Sequence, residues 1–175
     1  MTFNHRAVLS LLSTFMLSMG NGLAARVPNM VVLFADDSGY ADFGFQEHAR
    51  SDFKNLTPHI DSIAKAGARF TNAYVTAAVC SPSRAGIMTG RYQERFGHET
   101  NLPPGTQSGL PLEETFGVKR LREIGYKTGL IGKWHLGYPE AYHPIKRGYD
   151  EFFGLLQGSR SYYPLKKITK DRVIQ

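Results

Sequence analysis

The 175-residue sequence predicts an α/β fold, a mostly parallel sheet between helices. Three observations carry this. Met30 to Phe34 is an unbroken apolar run ended by Asp36-Asp37-Ser38-Gly39, as in a strand buried on both faces. Thr57 to Gly67 carries an N-cap residue, a proline at the first helical position, apolar residues at helical spacing and a terminating glycine. Leu112 to Ile124 then reads as an amphipathic helix closed by Gly125, with Tyr126 to Ile131 as the next buried strand.

The elements follow in order. His5 and Arg6 precede an apolar run from Ala7 to Met19, followed by small residues up to Ala24-Ala25. This is the pattern of a cleavable signal peptide over 1–25, so the protein is expected to be exported, periplasmic or secreted, with no stable membrane span after leader cleavage. With no cysteine near the cut, lipoprotein processing is excluded. Past the first strand, Asp36 and Asp37 fall just beyond its carboxyl end, the edge where open α/β sheets bind ligands. Phe70 to Thr76 alternates loosely and reads as a strand delivering the chain to Cys80. Pro82 and Ser83 suit the start of a helix from there. Leu102-Pro103-Pro104-Gly105 is a loop, and from Leu165 onward the pattern stops without a finished element.

Composition narrows the class. The chain is 42% hydrophobic and 21% charged, which is globular and not disordered. The formal net charge of +6 is spread along the sequence without a basic arm, which argues against nucleic acid as a partner. One cysteine excludes any internal disulfide. A lone cysteine is either a small buried hydrophobe or a reactive group. Cys80 opens a helix, where unpaired N–H groups and the helix dipole favour anions, and Arg84 adds a fixed charge.

The stretch Cys80-Ser81-Pro82-Ser83-Arg84, continued by Ala85-Gly86-Ile87-Met88-Thr89-Gly90-Arg91, resembles the signature of the type I, formylglycine-dependent sulfatases. Three further stretches match that family in order: Val31 to Asp37, Gly129 to Gly137 (G-L-I-G-K-W-H-L-G) and Gly148 to Gly154 (G-Y-D-E-F-F-G). Together they span about residues 28–158.

The resemblance implies an alkaline-phosphatase-like sandwich of which residues 26–175 are the amino-terminal, truncated portion of the catalytic domain. It implies hydrolysis of a sulfate ester to alcohol and sulfate. Cys80 would be oxidised to Cα-formylglycine by a formylglycine-generating enzyme, its hydrate serving as nucleophile. Asp36, Asp37 and the modified Cys80 would bind Ca2+, with Mg2+ as the alternative ion. Arg84 would stabilise the deprotonated formylglycine, Lys133 would contact sulfate, and His135 would act as base in the elimination step. Ser159 lies near a sulfate-contacting position, although the local match has faded there and a solvated loop fits it better. The substrate would be a sulfated carbohydrate or an aryl sulfate ester. The remaining metal ligands and the leaving-group acid would lie beyond residue 175, so the chain alone is expected to be inactive.

Alternation places Lys133 and His135 on one side of the chain, with Trp134 opposite in the core. His48, His59, His98 and His143 show no ligand spacing and read as surface residues; Ser161 and Tyr162-Tyr163 read as loop and packing. Two alternatives stay open: an inactive sulfate- or glycan-binding remnant, and a related phospho- or phosphonate-ester metallohydrolase using the same aspartate pair. A tyrosine phosphatase is disfavoured, since three residues and not five separate Cys80 from Arg84.

Overall fold

The structure, a computed structural model, describes residues 27–160. The expected leader, Ser161, Tyr162-Tyr163 and the stretch from Leu165 lie outside the described residues. The chain divides into two units between Ala35 and Asp36.

In the first unit, residues 27–35 form neither helix nor strand, and Val31, Val32 and Leu33 are exposed. This corrects the expectation of a doubly buried strand at Met30 to Phe34. An apolar, valine-rich run favours extended backbone, but a strand also needs a hydrogen-bonding neighbour and layers over both faces. The ladder found among the described residues is formed elsewhere.

The second unit contains α1 (Pro58–Ala66), α2 (Cys80–Thr89), α3 (Gly117–Glu123), β1 (Gly129–Lys133) and β2 (Glu151–Leu155), with short 3-10 turns at Gln93–Phe96 and Glu140–Tyr142. Helix α1 starts at a proline as expected, but Thr57 makes no side-chain cap bond to it. Its hydroxyl instead donates to Asp61 Oδ1 and accepts the Gly44 N–H, while Asp61 accepts the Phe45 N–H. The residues that start the helix therefore also fix the preceding loop.

No strand forms at Phe70 to Thr76, where Phe70, Tyr74 and Val75 are exposed. Alternation specifies which side chains share a face, not a partner, and the Thr71 and Thr76 carbonyls accept side-chain donors from Tyr40 and Gln93. Helix α2 begins from extended Val79 at φ −124°, ψ 157°, and ends at Gly90 in the left-handed region, φ 66°, which glycine adopts without steric cost. Pro82 sits in the first turn, where a missing N–H costs no helical bond.

Helix α3 starts five residues later than Leu112. Arg147 explains the delay: its guanidinium binds the carbonyls of Pro111 and Glu114 at 2.9 and 3.1 Å, and Pro111 to Glu114 close a turn. Carbonyls held by a side chain in this way cap a turn and leave the helix to nucleate at Gly117. Gly125, φ 95°, ends it as expected.

β1 and β2 pair in parallel, Gly129 opposite Glu151 through Lys133 opposite Leu155. β1 lies two or three residues beyond the expected span, and Ile131 is 85% exposed, so the strand is not buried on both faces. Its start is fixed by Asp150, whose carboxylate takes the Thr128 N–H at 2.8 Å and the Thr128 hydroxyl at 3.1 Å. That backbone bond holds the Asp150 carboxyl below its usual range. The core is aromatic: Trp134 packs tilted on Phe116 and edge-on to Tyr149, with ring centroids 5.6 and 6.2 Å away. Ala85 of α2 and Phe152 of β2 belong to the same cluster. Burial pushes the Tyr149 phenol up to about 12. Trp134 is thus the core residue its position implied.

Gly86 sits mid-helix, where alanine would ordinarily stabilise. Here a Cβ would overlap Thr76 Oγ1 and approach Gln93 Oε1 at 3.2 Å. Gly86→Ala is expected to destabilise the fold by about 1–3 kcal/mol, read as a lower urea midpoint; an unchanged or higher midpoint would contradict the packing.

Candidate active site

Two loops and a helix start converge here. Asp36 and Asp37 lie in a bend at the beginning of the second unit. Asp37 has φ 49°, a left-handed conformation that aspartate tolerates better than most residues. Cys80 is the first residue of α2, half-buried and free of any disulfide. One ligand atom from each of Asp36, Asp37 and Cys80 lies within 4.8 Å of the others. This is the spacing of donors that share one ion.

Two cations bracket Asp36. Lys133 Nζ, at the end of β1, donates to both carboxylate oxygens at 3.2 and 3.0 Å. Arg84 Nη2, one turn into α2, reaches Asp36 Oδ1 at 3.2 Å, while Nη1 donates to the Lys133 carbonyl at 2.5 Å. The Arg84 and Lys133 side chains are only 7% and 9% exposed. Burial alone would raise the Asp36 pKa. Hydrogen bonds from Lys133 and Arg84, with their charges, more than offset that and hold the carboxyl below its usual range.

His135 comes into the site differently from the alternation argument. It has φ 58°, so the extended alternation ends before it. Its backbone N–H donates to the Leu156 carbonyl at 3.0 Å, continuing the parallel contact past β1. Ring Nε2 lies 3.2 Å from the Leu102 carbonyl. A carbonyl only accepts, so Nε2 carries the proton and Nδ1 holds the lone pair. That Nδ1 is buried and makes no protein hydrogen bond. Burial lowers the His135 pKa, with Lys133 and Arg84 adding to the fall against the Leu102 bond and Asp36. The imidazole is therefore neutral at pH 7, with a free basic nitrogen. Gly158 lies against the ring, where a Cβ would come within 2.6 Å of it, and Ser159 follows exposed in the coil after β2.

Sequence reasoning passed over three residues. His98, expected at the surface, is 5% exposed and bonded to the wholly buried Ser81. Asn101 Oδ1 caps the Ser81 N–H at 2.8 Å, from twenty residues away. His143 is half-buried, edge-on to Phe152 at 5.3 Å, with Nε2 buried. The only available signal was Gly97-His98, a left-handed turn that reverses the chain into α2, since a histidine's type alone does not report burial. His48 and His59 are exposed, as expected.

The donor set suits a hard cation. Asp36 and Asp37 supply carboxylate oxygens, the ligands that calcium and magnesium prefer. The Cys80 thiol is a soft donor poorly matched to either ion. An oxygen in its place would complete a consistent oxygen set.

Comparison with known proteins agrees with this arrangement. A family model described as Sulfatase matches residues 28–170. Human arylsulfatase A is 44% identical over 146 residues, covering 81% of this chain and 28% of the relative. Human arylsulfatase G is 44% identical over 128 residues, covering 73% and 24%. The chain thus spans about a quarter of the length of these relatives. The crystal structure of Ps i-CgsB in complex with k-i-k-neocarrahexaose superposes with a TM-score of 0.68 at 45% identity, covering 73% of this chain and 28% of that one. The PsFucS1 sulfatase from Pseudoalteromonas sp. gives a TM-score of 0.51 at 39% identity, over 58% and 20%. Signature, parallel α/β pair and sequence identity lead to one assignment: this chain belongs to the sulfatase family.

Proposed function

We propose that this chain carries the nucleophile-bearing part of a sulfatase active site, and that the protein hydrolyses a sulfate ester to alcohol and sulfate. The observation that carries this reading is the convergence of Asp36, Asp37 and Cys80 beside the two buried cations Arg84 and Lys133. In this reading Cys80 is oxidised to formylglycine by a formylglycine-generating enzyme. The hydrate of that aldehyde supplies an oxygen nucleophile, and its second hydroxyl supplies a way to release sulfate that a thiol lacks.

The other residues hold and neutralise. Lys133 and Arg84 present positive charge to the sulfuryl oxygens and to the deprotonated nucleophile, in a site whose low exposure strengthens both interactions. Asp36, Asp37 and the oxygen at position 80 are the residues that would hold a divalent ion, with calcium proposed and magnesium the alternative; such an ion lowers hydroxyl pKa values near it. His135, neutral and with Nδ1 unprotonated, takes the hydroxyl proton in the elimination step. Ser159, one residue beyond the glycine packed on His135, is assigned only to the rim of the substrate site. The neocarrahexaose held by the structural neighbour Ps i-CgsB favours a carbohydrate sulfate ester as substrate class, ahead of a simple aryl sulfate. Export to a periplasmic or external compartment follows from the leader at 1–25. No helix among the described residues is long and apolar enough to cross a membrane.

Expression with a formylglycine-generating enzyme should lower the mass of the tryptic peptide containing Cys80 by about 18 Da and make it reactive to a hydrazine. An unmodified thiol, under conditions that convert a control sulfatase, would move the assignment to a phosphoester relative or a binding remnant. Calorimetric titration with Ca2+ should show affinity weakened at least about tenfold in Asp37→Asn; unchanged affinity would remove Asp37 from the ion site.

Burial also makes folding pH-dependent. The native pKa values of His98, His135 and His143 all lie below the ordinary histidine value, chiefly through burial. Below a pH of about 6.5 the unfolded chain therefore binds more protons than the native one, and stability falls as pH falls. The urea midpoint should be lower at pH 5.5 than at pH 7.5. A flat profile would contradict the buried, neutral histidines.

A further inference from the structure

A buried hydroxyl, that of Ser81, bonds the backbone of the proposed base. Ser81 Oγ is 2.6 Å from the His135 carbonyl and 2.7 Å from His98 Nε2, and all three residues are buried. Serine has one hydroxyl hydrogen, and a carbonyl oxygen only accepts. The Ser81 hydrogen is therefore committed to His135, and Ser81 can only accept from His98. This fixes His98 as the Nε2–H tautomer. Were His98 protonated at Nδ1 instead, its Nε2 lone pair would compete with the His135 carbonyl for the same hydrogen.

The segment carrying His98 reaches the site at two further points. Asn101 Oδ1 accepts the Ser81 N–H, and the Leu102 carbonyl accepts from the His135 ring at 3.2 Å and the Tyr138 hydroxyl at 3.0 Å. One short stretch, 98–102, thus braces the residue after Cys80 and both ends of His135. The base is held at its carbonyl by Ser81, at its ring by Leu102 and at its N–H by Leu156.

We infer that His98 is a positioning residue: as an Nε2–H donor to Ser81, it holds the left-handed backbone and ring orientation of His135 in which Nδ1 makes no protein hydrogen bond. This rests on the sulfatase reading for its consequence, but the geometric part stands on the hydrogen bonds alone. Donors in series through one hydroxyl polarise one another, so losing the outer bond weakens the inner one. A leucine at 98 would leave the Ser81 oxygen without its donor, whereas a glutamine places an amide N–H where Nε2 stood.

Nitrogen-15 NMR of the imidazoles in the 175-residue chain tests the geometry without turnover. His98 and His135 should both be Nε2–H tautomers. In His98→Leu the His135 Nε2 proton should exchange about tenfold faster, as loss of one hydrogen bond implies, and His98→Gln should restore slow exchange. A wild-type His98 protonated at Nδ1, or a His135 ring indifferent to His98→Leu, overturns the proposal. If the leucine variant does not fold, the wild-type tautomers and the glutamine variant decide. In the sulfatase carrying this chain, His98→Leu should lower kcat about 10- to 100-fold with KM within about twofold, and His98→Gln should recover most of it. Equal loss in both variants would mean that His98 acts by packing alone and would overturn the positioning role. Full turnover in His135→Ala would overturn the proposed base while leaving the tautomer result intact, so the two failures are separable.

Discussion

The carboxylate of Asp36 is the constraint on which the rest of the site depends. Two cationic side chains, each more than nine-tenths buried, end on it: Lys133 from the close of β1 and Arg84 from the first turn of α2. A lysine and an arginine taken that far out of water would each be strongly unfavourable without an anion nearby. Asp36 answers both, and in doing so ties a loop, a helix and a strand together at one point. The bond from Arg84 to the Lys133 carbonyl closes the same triangle through backbone. Without Asp36 there would be two buried like charges with no anion between them.

The aromatic core supplies the other half of that arrangement. Trp134 lies between Lys133 and His135, and its burial against Phe116 and Tyr149 puts the preceding Lys133 on the opposite side of the strand, where it meets Asp36. Its indole N–H, satisfied by the Tyr142 carbonyl at 3.0 Å, avoids the cost of an orphaned donor in that core. Packing thus aims the chemistry: the most buried residue of the segment positions the charged one before it. His135 then leaves the extended conformation at φ 58°, a strain on the order of 1–3 kcal/mol that persists only because its N–H, its carbonyl and its ring are each held.

The site was more legible in the sequence than the sheet was. Cys80, Arg84, Lys133 and the aspartate pair sit in the short stretches on which the family resemblance rests, and the fold brings them together. The helix start at Pro58 and stop at Gly125 were equally readable, because proline and glycine impose backbone angles locally. The strands at Met30 to Phe34 and Phe70 to Thr76 were not, since hydrophobic pattern states what a segment would bury and says nothing of who pairs with it. The late start of α3 was hidden for a related reason: its cause is a guanidinium some thirty residues downstream. His98 and Asn101 were missed because a cap contributed from twenty residues away leaves no local signature.

Charge bears on how the proposed sulfatase reading would work at this site. Asp36 and Asp37 carry two negative charges, Arg84 and Lys133 two positive ones, and burial keeps His98 and His135 neutral, so the protein groups sum to zero. A site of this kind does not attract an anion by net charge. In the proposed reading, a divalent ion held by the aspartate pair would shift the balance of these groups to two positive charges and loosen the neutralisation of Arg84 and Lys133. Asp36, the carboxylate that holds both cations in place, would then also be one of the groups that anchor the ion. In the proposed reading, affinity for an anionic substrate would follow from metal loading, while Arg84 and Lys133, already fixed in the folded chain, would set its orientation.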